Sequence, residues 1–169
     1  MGPISVLIAG GAQELALCRR LLHPERGIAV VGVARTGLDA LAPVARLRPR
    51  VLLLDFDRPR LDALAAIPRI RIQSPRTKVV LLTTRRTPRA LILEALSRGA
   101  RGYLDRGAIR IFLPKVVRAV DAGEVWVPRR MVAAILNRLL RLSAGKRRAR
   151  GVPTSEIRPR PESRQGCLP

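Results

Sequence analysis

Short apolar runs alternate along the first 125 residues with stretches in which apolar residues recur every three or four positions. The runs have the length of strands, and the periodic stretches between them are typical of amphipathic helices. The predicted strands are Ile4–Ala9, Ile28–Ala34, Val51–Leu54, Val79–Leu82 and Gly102–Leu104. Because these runs are apolar on both faces, they predict an α/β fold, a doubly wound five-stranded parallel sheet covered by helices on both sides.

Each predicted strand is followed by a predicted helix. The apolar faces are formed by Leu15, Cys18, Leu21 and Leu22, by Leu38, Leu41 and Ala45, by Leu61 and Leu64, by Leu91, Ala95 and Leu96, and by Leu113, Val116, Val117 and Val120. Pro68 lies within the third helical pattern, and proline lacks the N–H that an α-helix needs. We therefore expect Pro68 to shorten or kink that helix.

The pattern changes after Gly123. Residues 125–128 resemble a connector, and Arg129–Leu142 predict a sixth amphipathic helix. Its apolar stripe is formed by Val132, Ile135, Leu136 and Leu139, continued by Leu140. That stripe could pack on its own domain, on a second copy or on a following domain. The chain thus divides into a domain over residues 1–124, a connector and linker helix over 125–142, and an Arg/Pro-rich basic tail over 143–169 that we expect to be disordered.

The chain is strongly basic. Its 169 residues carry 33 Lys and Arg against 12 Asp and Glu, for a net charge of +21. This field favours anionic partners, and the run 146–150 could bind nucleic acid without sequence preference. Aromatic residues are only 2% of the chain, which excludes a base-stacking surface.

The composition and motifs argue against several other kinds of site and segment. Two cysteines exclude a disulfide framework, and a single histidine excludes a zinc cluster of the usual kind. The segment Ala9-Gly10-Gly11-Ala12 lacks the spacing of a nucleotide-binding loop, and a permissive turn is the simpler interpretation. No apolar run is long enough to cross a bilayer, and no secretory signal is visible. We therefore expect a cytoplasmic protein without a membrane partner.

Ligand sites of parallel α/β sheets lie at the carboxyl ends of the strands. The loops that follow the predicted strands there are Gly10–Gln13, Asp55–Pro59, Thr83–Arg86 and Asp105–Ala108. All four contain polar or conformationally special residues, so this edge is the predicted functional edge.

Several of these segments together match the sequence pattern of a known protein family. The strand Val51–Asp55, Pro59 four residues beyond it, the segment Gly99–Leu104 and the connector Ala122–Trp126 are its most specific parts. Over residues 4–142 the chain resembles the receiver domains of bacterial two-component response regulators, in particular the NarL/FixJ (LuxR-type) kind, which act in phosphorelay signal transduction and transcription regulation. The resemblance implies a flavodoxin-like sheet with strand order 2-1-3-4-5.

The resemblance places Asp55 at the position of the phosphoacceptor aspartate. In the family, a divalent ion is held by this aspartate and by two acidic residues at the end of the first strand. Those acidic-pair positions are Gly10 and Gly11 here, so both carboxylates are lost. Asp55 alone would be a poor Mg²⁺ site, although Asp57 could add a carboxylate. The resemblance therefore implies that no cofactor is needed, or Mg²⁺ only where phosphoacceptor activity is retained.

Three further positions complete the comparison with the family. Arg106 occupies the position of the family's lysine, Thr83 that of the hydroxyl residue, and Tyr103 that of the aromatic switch residue. Arginine keeps the charge of lysine but differs in size and geometry. We also hypothesise that an arginine near Asp55 takes the place of the metal. The candidates are Arg58, Arg85 and Arg86.

These observations favour an atypical receiver module that is not an enzyme, functions without phosphorylation and acts through contacts with a regulator, a sensor kinase or itself. The alternatives are a receiver still phosphorylated on Asp55 and a basic protein that binds nucleic acid nonspecifically. The helix-turn-helix domain of NarL/FixJ regulators is expected to be absent, because only 27 residues follow Leu142. A homodimer through the sixth helix is expected, since the face usually used for pairing is basic. Its charges are those of Arg89, Arg98, Arg101, Arg110, Lys115 and Arg118.

Overall fold

Strands and helices alternate strictly through the sheet domain. The computed structural model describes residues 2–57 and 60–148, without the side chains of Arg60, Leu61, Arg130, Leu139 and residues 142–148. The elements are β1 Ile4–Ala9, α1 Ala12–Leu22, β2 Ile28–Ala34, α2 Leu41–Leu47, β3 Val51–Asp55, α3 Arg60–Gln73, β4 Lys78–Thr83, α4 Arg89–Arg98, β5 Gly102–Asp105, α5 Ile109–Asp121 and α6 Arg129–Arg148. A short 3₁₀ turn, Arg106–Ala108, links β5 to α5.

The five strands form one parallel sheet in the order β2-β1-β3-β4-β5. Every residue of β3 is buried, as are almost all of β4 and the second half of β1, because helices cover both faces. The predicted doubly wound α/β fold and its strand order are confirmed. A sheet of this order brings the ends of β1, β3, β4 and β5 side by side, which places the site described below.

Helix α3 does not stop at Pro68. It continues five residues further, to Gln73, with Ile67 and Ile70 fully buried on either side of the proline. Proline cannot donate to the carbonyl four residues before it, which is that of Leu64. Arg98 Nη1 donates to this carbonyl at 2.9 Å. A side chain from α4 thus supplies the missing hydrogen bond, and the prediction that Pro68 would shorten the helix is wrong.

The helix after β2 begins later than its apolar pattern predicts. Leu38 lies in a turn before α2 and is 37% exposed. The hydroxyl of Thr36 accepts a hydrogen bond from the Asp39 N–H, and the Thr36 carbonyl accepts one from the Ala40 N–H. These local bonds hold the chain in a turn, so that Leu41 and Val44 supply the buried face instead.

The chain returns to the sheet after α5. Trp126 forms a bridge with Gly102 at the outer side of β5, where its carbonyl accepts from the Tyr103 N–H and its N–H donates to the Arg101 carbonyl, both at 3.0 Å. A Cβ on Gly102 would lie 2.4 Å from the Trp126 carbonyl oxygen, so only glycine permits this approach. On the opposite outer strand, β2, the register with β1 shifts by one residue at Val31.

Two compact units are distinguished, residues 1–134 and residues from Ile135 onward. Helix α6 ends at Arg148, six residues beyond its predicted end at Leu142. The rest of the predicted tail, residues 149–169, lies outside the described residues. Among the helices that the structure describes, none is long and apolar enough to cross a membrane.

Candidate functional site

Four loops meet at the carboxyl edge of the sheet, as the strand order requires. Asp55, Thr83 and Asp105 are the last residues of β3, β4 and β5, and Arg106 follows directly after β5. Asp55 lies opposite Leu82, and Thr83 opposite Asp105, in the registers of the two strand pairs. The sequence-predicted positions are therefore neighbours in space although they are far apart along the chain.

The Asp55 carboxylate is almost fully buried, with 7% of the residue exposed. Its Oδ2 accepts a hydrogen bond from Arg106 Nη2 at 2.7 Å, and its Oδ1 accepts one from the Asp57 N–H at 3.0 Å. Both oxygens therefore have a donor. A buried carboxylate needs such partners to remain ionised, and a guanidinium is among the strongest.

Arg106 also contacts a second carboxylate. Its Nη1 lies 3.1 Å from Glu14 Oε1, on the first turn of α1. One guanidinium thus bridges Asp55 and Glu14, with 30% of the arginine side chain exposed. We call these three residues the carboxyl-edge triad. Sequence reasoning missed Glu14, because an acidic residue in the first helical turn is already explained by the helix dipole.

The glycines of the former acidic-pair positions leave room for this arrangement. A Cβ on Gly10 would lie 2.7 Å from the Asp55 Cβ, which leaves no space for any side chain without a movement of β1 or β3. A Cβ on Gly11 would meet Glu14 Oε2 at 2.9 Å, which is the end of a side chain that can rotate away. Gly10 therefore permits the close approach of β1 to Asp55, whereas Gly11 is constrained only by Glu14.

The carboxylate oxygens at this edge are not arranged to coordinate a Mg²⁺ ion. Mg²⁺ prefers octahedral oxygen coordination with one or more free carboxylates. The two carboxylates nearest to the site, those of Asp55 and Glu14, are bound by Arg106. The Asp57 carboxylate accepts a hydrogen bond from the Thr87 hydroxyl at 2.9 Å. Among the residues described, no group of three acidic, histidine or cysteine side chains could hold a metal ion.

The arginine that the structure places against Asp55 is Arg106, which follows β5. Arg85 lines a neighbouring cavity, and the ion pair that the structure gives Asp55 is with Arg106. Arg58 and Pro59 lie outside the described residues. The described residues therefore pair Asp55 with Arg106, and the hypothesis that an arginine takes the place of a metal stays a prediction. Arg106 follows the end of β5, two strands from β3, and its long side chain reaches Asp55.

Thr83 and Tyr103 lie beside the triad and are both buried, with 1% and 6% exposed. The Thr83 hydroxyl lies 3.4 Å from the Leu104 carbonyl oxygen, to which it donates. Both residues line a cavity of about 500 Å³ that also includes Thr84, Thr87 and Met131. The hydroxyl and aromatic positions of the family pattern thus share one cavity at the ends of β4 and β5.

A buried thiol lies beneath the triad. Cys18 is fully buried in the core formed by α1, α5 and the central strands. The pKa of its thiol is raised from 9.0 to about 12, chiefly by burial, with smaller upward contributions from the charges of Glu14 and Asp55 and a downward one from Arg106. Cys18 is therefore a neutral thiol at physiological pH, and its pKa responds to the charges of the triad.

The remaining predicted residues lie elsewhere. Val132 and Leu136 of α6 are 43% and 54% exposed, Ile135 is half-buried, and the Leu139 side chain is not described. Of the basic residues around α4 and α5, Arg98 pairs with Glu94 and Arg118 with Glu25, each at 2.7 Å.

Comparison with known proteins identifies the family. The model of the response regulator receiver domain matches residues 11–110, more than half of the chain. The chain belongs to this family. The receiver domain identified here acts in two-component signalling, as the resemblance implied.

Curated relatives extend the comparison. The receiver domain is 32% identical over 117 residues to the transcriptional regulatory protein LnrK of Bacillus subtilis, which covers 69% of this chain and 53% of that protein. It is also 32% identical over 127 residues to a protein-glutamate methylesterase/protein-glutamine glutaminase of Rhodopseudomonas palustris, covering 73% of this chain and 31% of that protein. The chain spans about half or less of the length of these two relatives.

Solved structures agree with the fold. The receiver domain of the putative response regulator NarL from Mycobacterium tuberculosis superposes with a TM-score of 0.67 at 26% identity, over 73% of this chain and 100% of that chain. A LuxR-family response regulator from Aurantimonas superposes with a TM-score of 0.70 at 20% identity, over 82% of this chain and 99% of that chain. The second likeness shows the fold alone.

Proposed function

We propose that this receiver domain functions in two-component signalling without phosphorylation, through contacts with protein partners. The observation that carries the proposal is the carboxyl-edge triad, in which Arg106 contacts both Asp55 and Glu14. A fixed guanidinium would hold the site in one charge state. In other receiver domains the charge of this site changes when a metal ion binds and a phosphoryl group is transferred. The module would then act as a constitutive binding partner.

The chemistry of phosphoryl transfer supports this proposal. To accept a phosphoryl group, a carboxylate oxygen must approach phosphorus in line with the leaving group, and a divalent ion normally neutralises the charge that develops. Here both Asp55 oxygens already accept hydrogen bonds, and one of them is paired with a cation. Attack would require the Arg106 contact to break inside a largely buried site. We therefore expect Asp55 to be a poor nucleophile.

The test is incubation of the whole chain with acetyl phosphate and Mg²⁺, followed by intact mass measurement. We expect no phosphorylated species. A double variant, Gly11→Asp with Arg106→Lys, restores one acidic position and the family's lysine, and it serves as the comparison. Phosphorylation of the double variant alone would support the proposal, whereas a stable adduct on Asp55 of the natural chain would overturn it. The variant Asp55→Asn identifies the modified residue.

The retained phosphoacceptor is the second candidate function. It is favoured by the place of Asp55 at the end of β3 and by the shared cavity of Thr83 and Tyr103. In this alternative Arg106 would play the part of the metal by neutralising the developing charge. The mass measurement above separates the two candidates, because this alternative yields an adduct on Asp55, and its repetition without Mg²⁺ tests whether Arg106 replaces the metal.

The proposed partner contacts include self-association through α6. Val132 and Leu136 are large apolar side chains exposed on this helix. An exposed apolar stripe of this kind is typical of a helix that pairs with another helix. We expect the double variant Val132→Glu, Leu136→Glu to lower the mass measured by light scattering from dimer to monomer. A monomeric natural chain would contradict this part of the proposal.

The proposal also covers enzymatic activity, location in the cell and contact with nucleic acid. We propose that the described region has no substrate turnover of its own. The methylesterase named among the relatives matches over 31% of its own length, so that activity is not assigned to this chain. We place the module in the cytoplasm, where sensor kinases present their receiver-binding domains. Any contact with nucleic acid would be nonspecific.

A further inference from the structure

The amino-terminal edge of the sheet carries a cavity of about 590 Å³ that the function proposed above does not use. Five basic side chains line it, those of Arg50, Arg71, Arg76, Lys78 and Arg101. They come from the residues before β3 and β5, from the start of β4, and from the end of α3 and the loop after it. We call this the amino-edge cavity.

These charges are poorly balanced. Asp121 pairs with Arg50 through its carboxylate, while Lys78 Nζ donates to the Asp121 backbone carbonyl at 2.9 Å. Arg71 donates to the Arg98 carbonyl at 3.2 Å. Within the described part of the chain, no carboxylate pairs with Arg71, Arg76 or Arg101. Several like charges therefore face one concave space, which is unfavourable unless an anion occupies it.

The walls of the cavity are held in place. The Thr77 hydroxyl is buried, donates to the Pro49 carbonyl at 2.6 Å and is hydrogen-bonded to the Ser74 hydroxyl at 2.9 Å. The Lys78 N–H donates to the Arg50 carbonyl at 3.0 Å. The backbone that carries these cations is therefore fixed by sheet and loop hydrogen bonds, so the side chains extend into the cavity from fixed positions.

Arg71 is held over the cavity by the shape of the chain at Gly99. A Cβ on Gly99 would lie 2.1 Å from Arg71 Cδ, and the φ angle of Gly99 is +120°. Glycine thus lets the aliphatic part of Arg71 lie against the backbone, with its guanidinium beside the Arg98 carbonyl. The arginine is less free to rotate than an ordinary surface side chain, which lowers the entropy lost on binding.

From this geometry we propose that the amino-edge cavity binds a compact anion that carries several phosphate groups, such as a triphosphate. Guanidinium groups match phosphate oxygens in a bidentate geometry, and the volume is that of a small-molecule site. The side chains described around the cavity include no aromatic ring on which a base could stack. Recognition would therefore depend on the phosphates, so inorganic triphosphate and ATP are expected to bind equally well.

The experiment is isothermal titration of the full chain with inorganic triphosphate, ATP and inorganic phosphate. The test variant is Arg76→Gln with Arg101→Gln, two exposed residues with no described side-chain partner. The control variant is Arg20→Gln with Arg110→Gln, two exposed arginines beside another shallow cavity. Both variants lose the same total charge. We expect the test variant to weaken triphosphate binding about tenfold or more, and the control variant by less than about twofold.

Several outcomes would overturn the proposal. Equal weakening by both variants would mean that net charge alone attracts the anion. Binding of inorganic phosphate as tight as that of triphosphate would contradict a polyphosphate site. A single-stranded DNA of mixed sequence is titrated in parallel, and stronger dependence of DNA binding than of triphosphate binding on Arg76 and Arg101 would identify a nucleic-acid surface instead.

A second variant keeps the test valid if the glutamine variant folds poorly. Arg76→Lys with Arg101→Lys keeps both charges and loses the bidentate geometry of arginine. We expect it to bind triphosphate with an affinity between those of the natural chain and the glutamine variant. Thermal unfolding without ligand, measured at 0.15 M salt, should differ by no more than about 2 °C among the variants, which shows that all of them fold. An affinity equal to that of the natural chain would show that point charge, and not the guanidinium, is recognised.

Discussion

The two edges of the sheet differ in how far their basic side chains are paired with carboxylates. At the carboxyl edge, one arginine is held between two carboxylates, those of Asp55 and Glu14. At the amino edge, five basic side chains line one cavity. One of them, Arg50, is paired with the carboxylate of Asp121. The first edge is therefore electrostatically closed, whereas the second is open to an anion.

The comparison shows why net charge is a poor guide to the location of a binding site. A charge of +21 is spread over the whole chain, and the edge that the family uses for phosphoryl chemistry has its central arginine already paired. The edge that retains unbalanced cations lies at the other end of the strands. What distinguishes the two edges is the position of a few carboxylates relative to the arginines.

The largest expected effect comes from opening the closed edge. Arg106→Leu leaves the carboxylates of Asp55 and Glu14 without their shared partner, one of them almost fully buried. We expect a loss of about 2–3 kcal/mol in the free energy of unfolding measured in urea, less than for a fully buried pair because Arg106 is partly exposed. The matched control is Arg118→Leu, which breaks the more exposed pair with Glu25 at the same 2.7 Å distance. Similar losses in both variants would contradict the special place of the triad.

The next effect tests the packing that makes the closed edge possible. Gly10→Ala places a methyl group 2.7 Å from the Asp55 Cβ, and we expect a loss of about 1–2 kcal/mol through overpacking. Gly11→Ala meets only the movable end of Glu14 but replaces the N-cap glycine of α1, so we expect a smaller loss of about 0.5 kcal/mol. The measurement is again urea unfolding of both variants. A larger loss for Gly11→Ala would reverse the assignment of which glycine is required.

The buried thiol beside the closed edge makes stability depend on pH in the alkaline range. The pKa of Cys18 is raised from 9.0 to about 12 in the folded protein, so the stability it contributes is fully present below pH 9 and is lost as pH rises toward 12. Between pH 9 and pH 10 we expect a loss of about 1 kcal/mol in the free energy of unfolding from this group. Cys18→Ala should show a shallower slope over that interval, and an unchanged slope would contradict the assignment.

The smallest effect concerns the open edge. Salt screens repulsion between the cavity cations, because the Debye length falls from about 30 Å at 0.01 M to about 8 Å at 0.15 M. We expect sodium chloride to stabilise the natural chain, and the gain to be smaller by a few tenths of a kcal/mol in the Arg76→Gln, Arg101→Gln variant. The Arg20→Gln, Arg110→Gln variant is the control. An equal gain in both variants would place the repulsion elsewhere.

The hydrophobic pattern predicted the architecture well because strands buried on both faces are read directly from short apolar runs. Strands β1 and β2 begin and end at the predicted residues, β3 and β5 extend one residue further at their carboxyl ends, and β4 is one residue longer at each end. Pro68 shows the limit of such reasoning. Whether a proline ends a helix depends on a donor such as Arg98 from a distant element, and no local pattern records that donor.

The sequence predicted where the site lies but not which of its side chains form ion pairs. Asp55 and Arg106 follow from the family pattern, whereas the pairing of Arg106 with Glu14 depends on how α1 leads away from Gly11. The amino-edge cavity was not predicted at all. Its cations are dispersed between Arg50 and Arg101, and only the crossovers of a doubly wound sheet bring them together.

The Trp126 bridge has a further consequence for the sheet as a whole. An outer strand with free N–H and C=O groups is a template for intermolecular strand addition and aggregation. Trp126 satisfies part of that template on β5, and the register shift at Val31 interrupts it on β2. Growth of the sheet into another molecule is thus opposed at both sides. We infer that partners of this protein recognise its helices and loops, and do not extend its sheet.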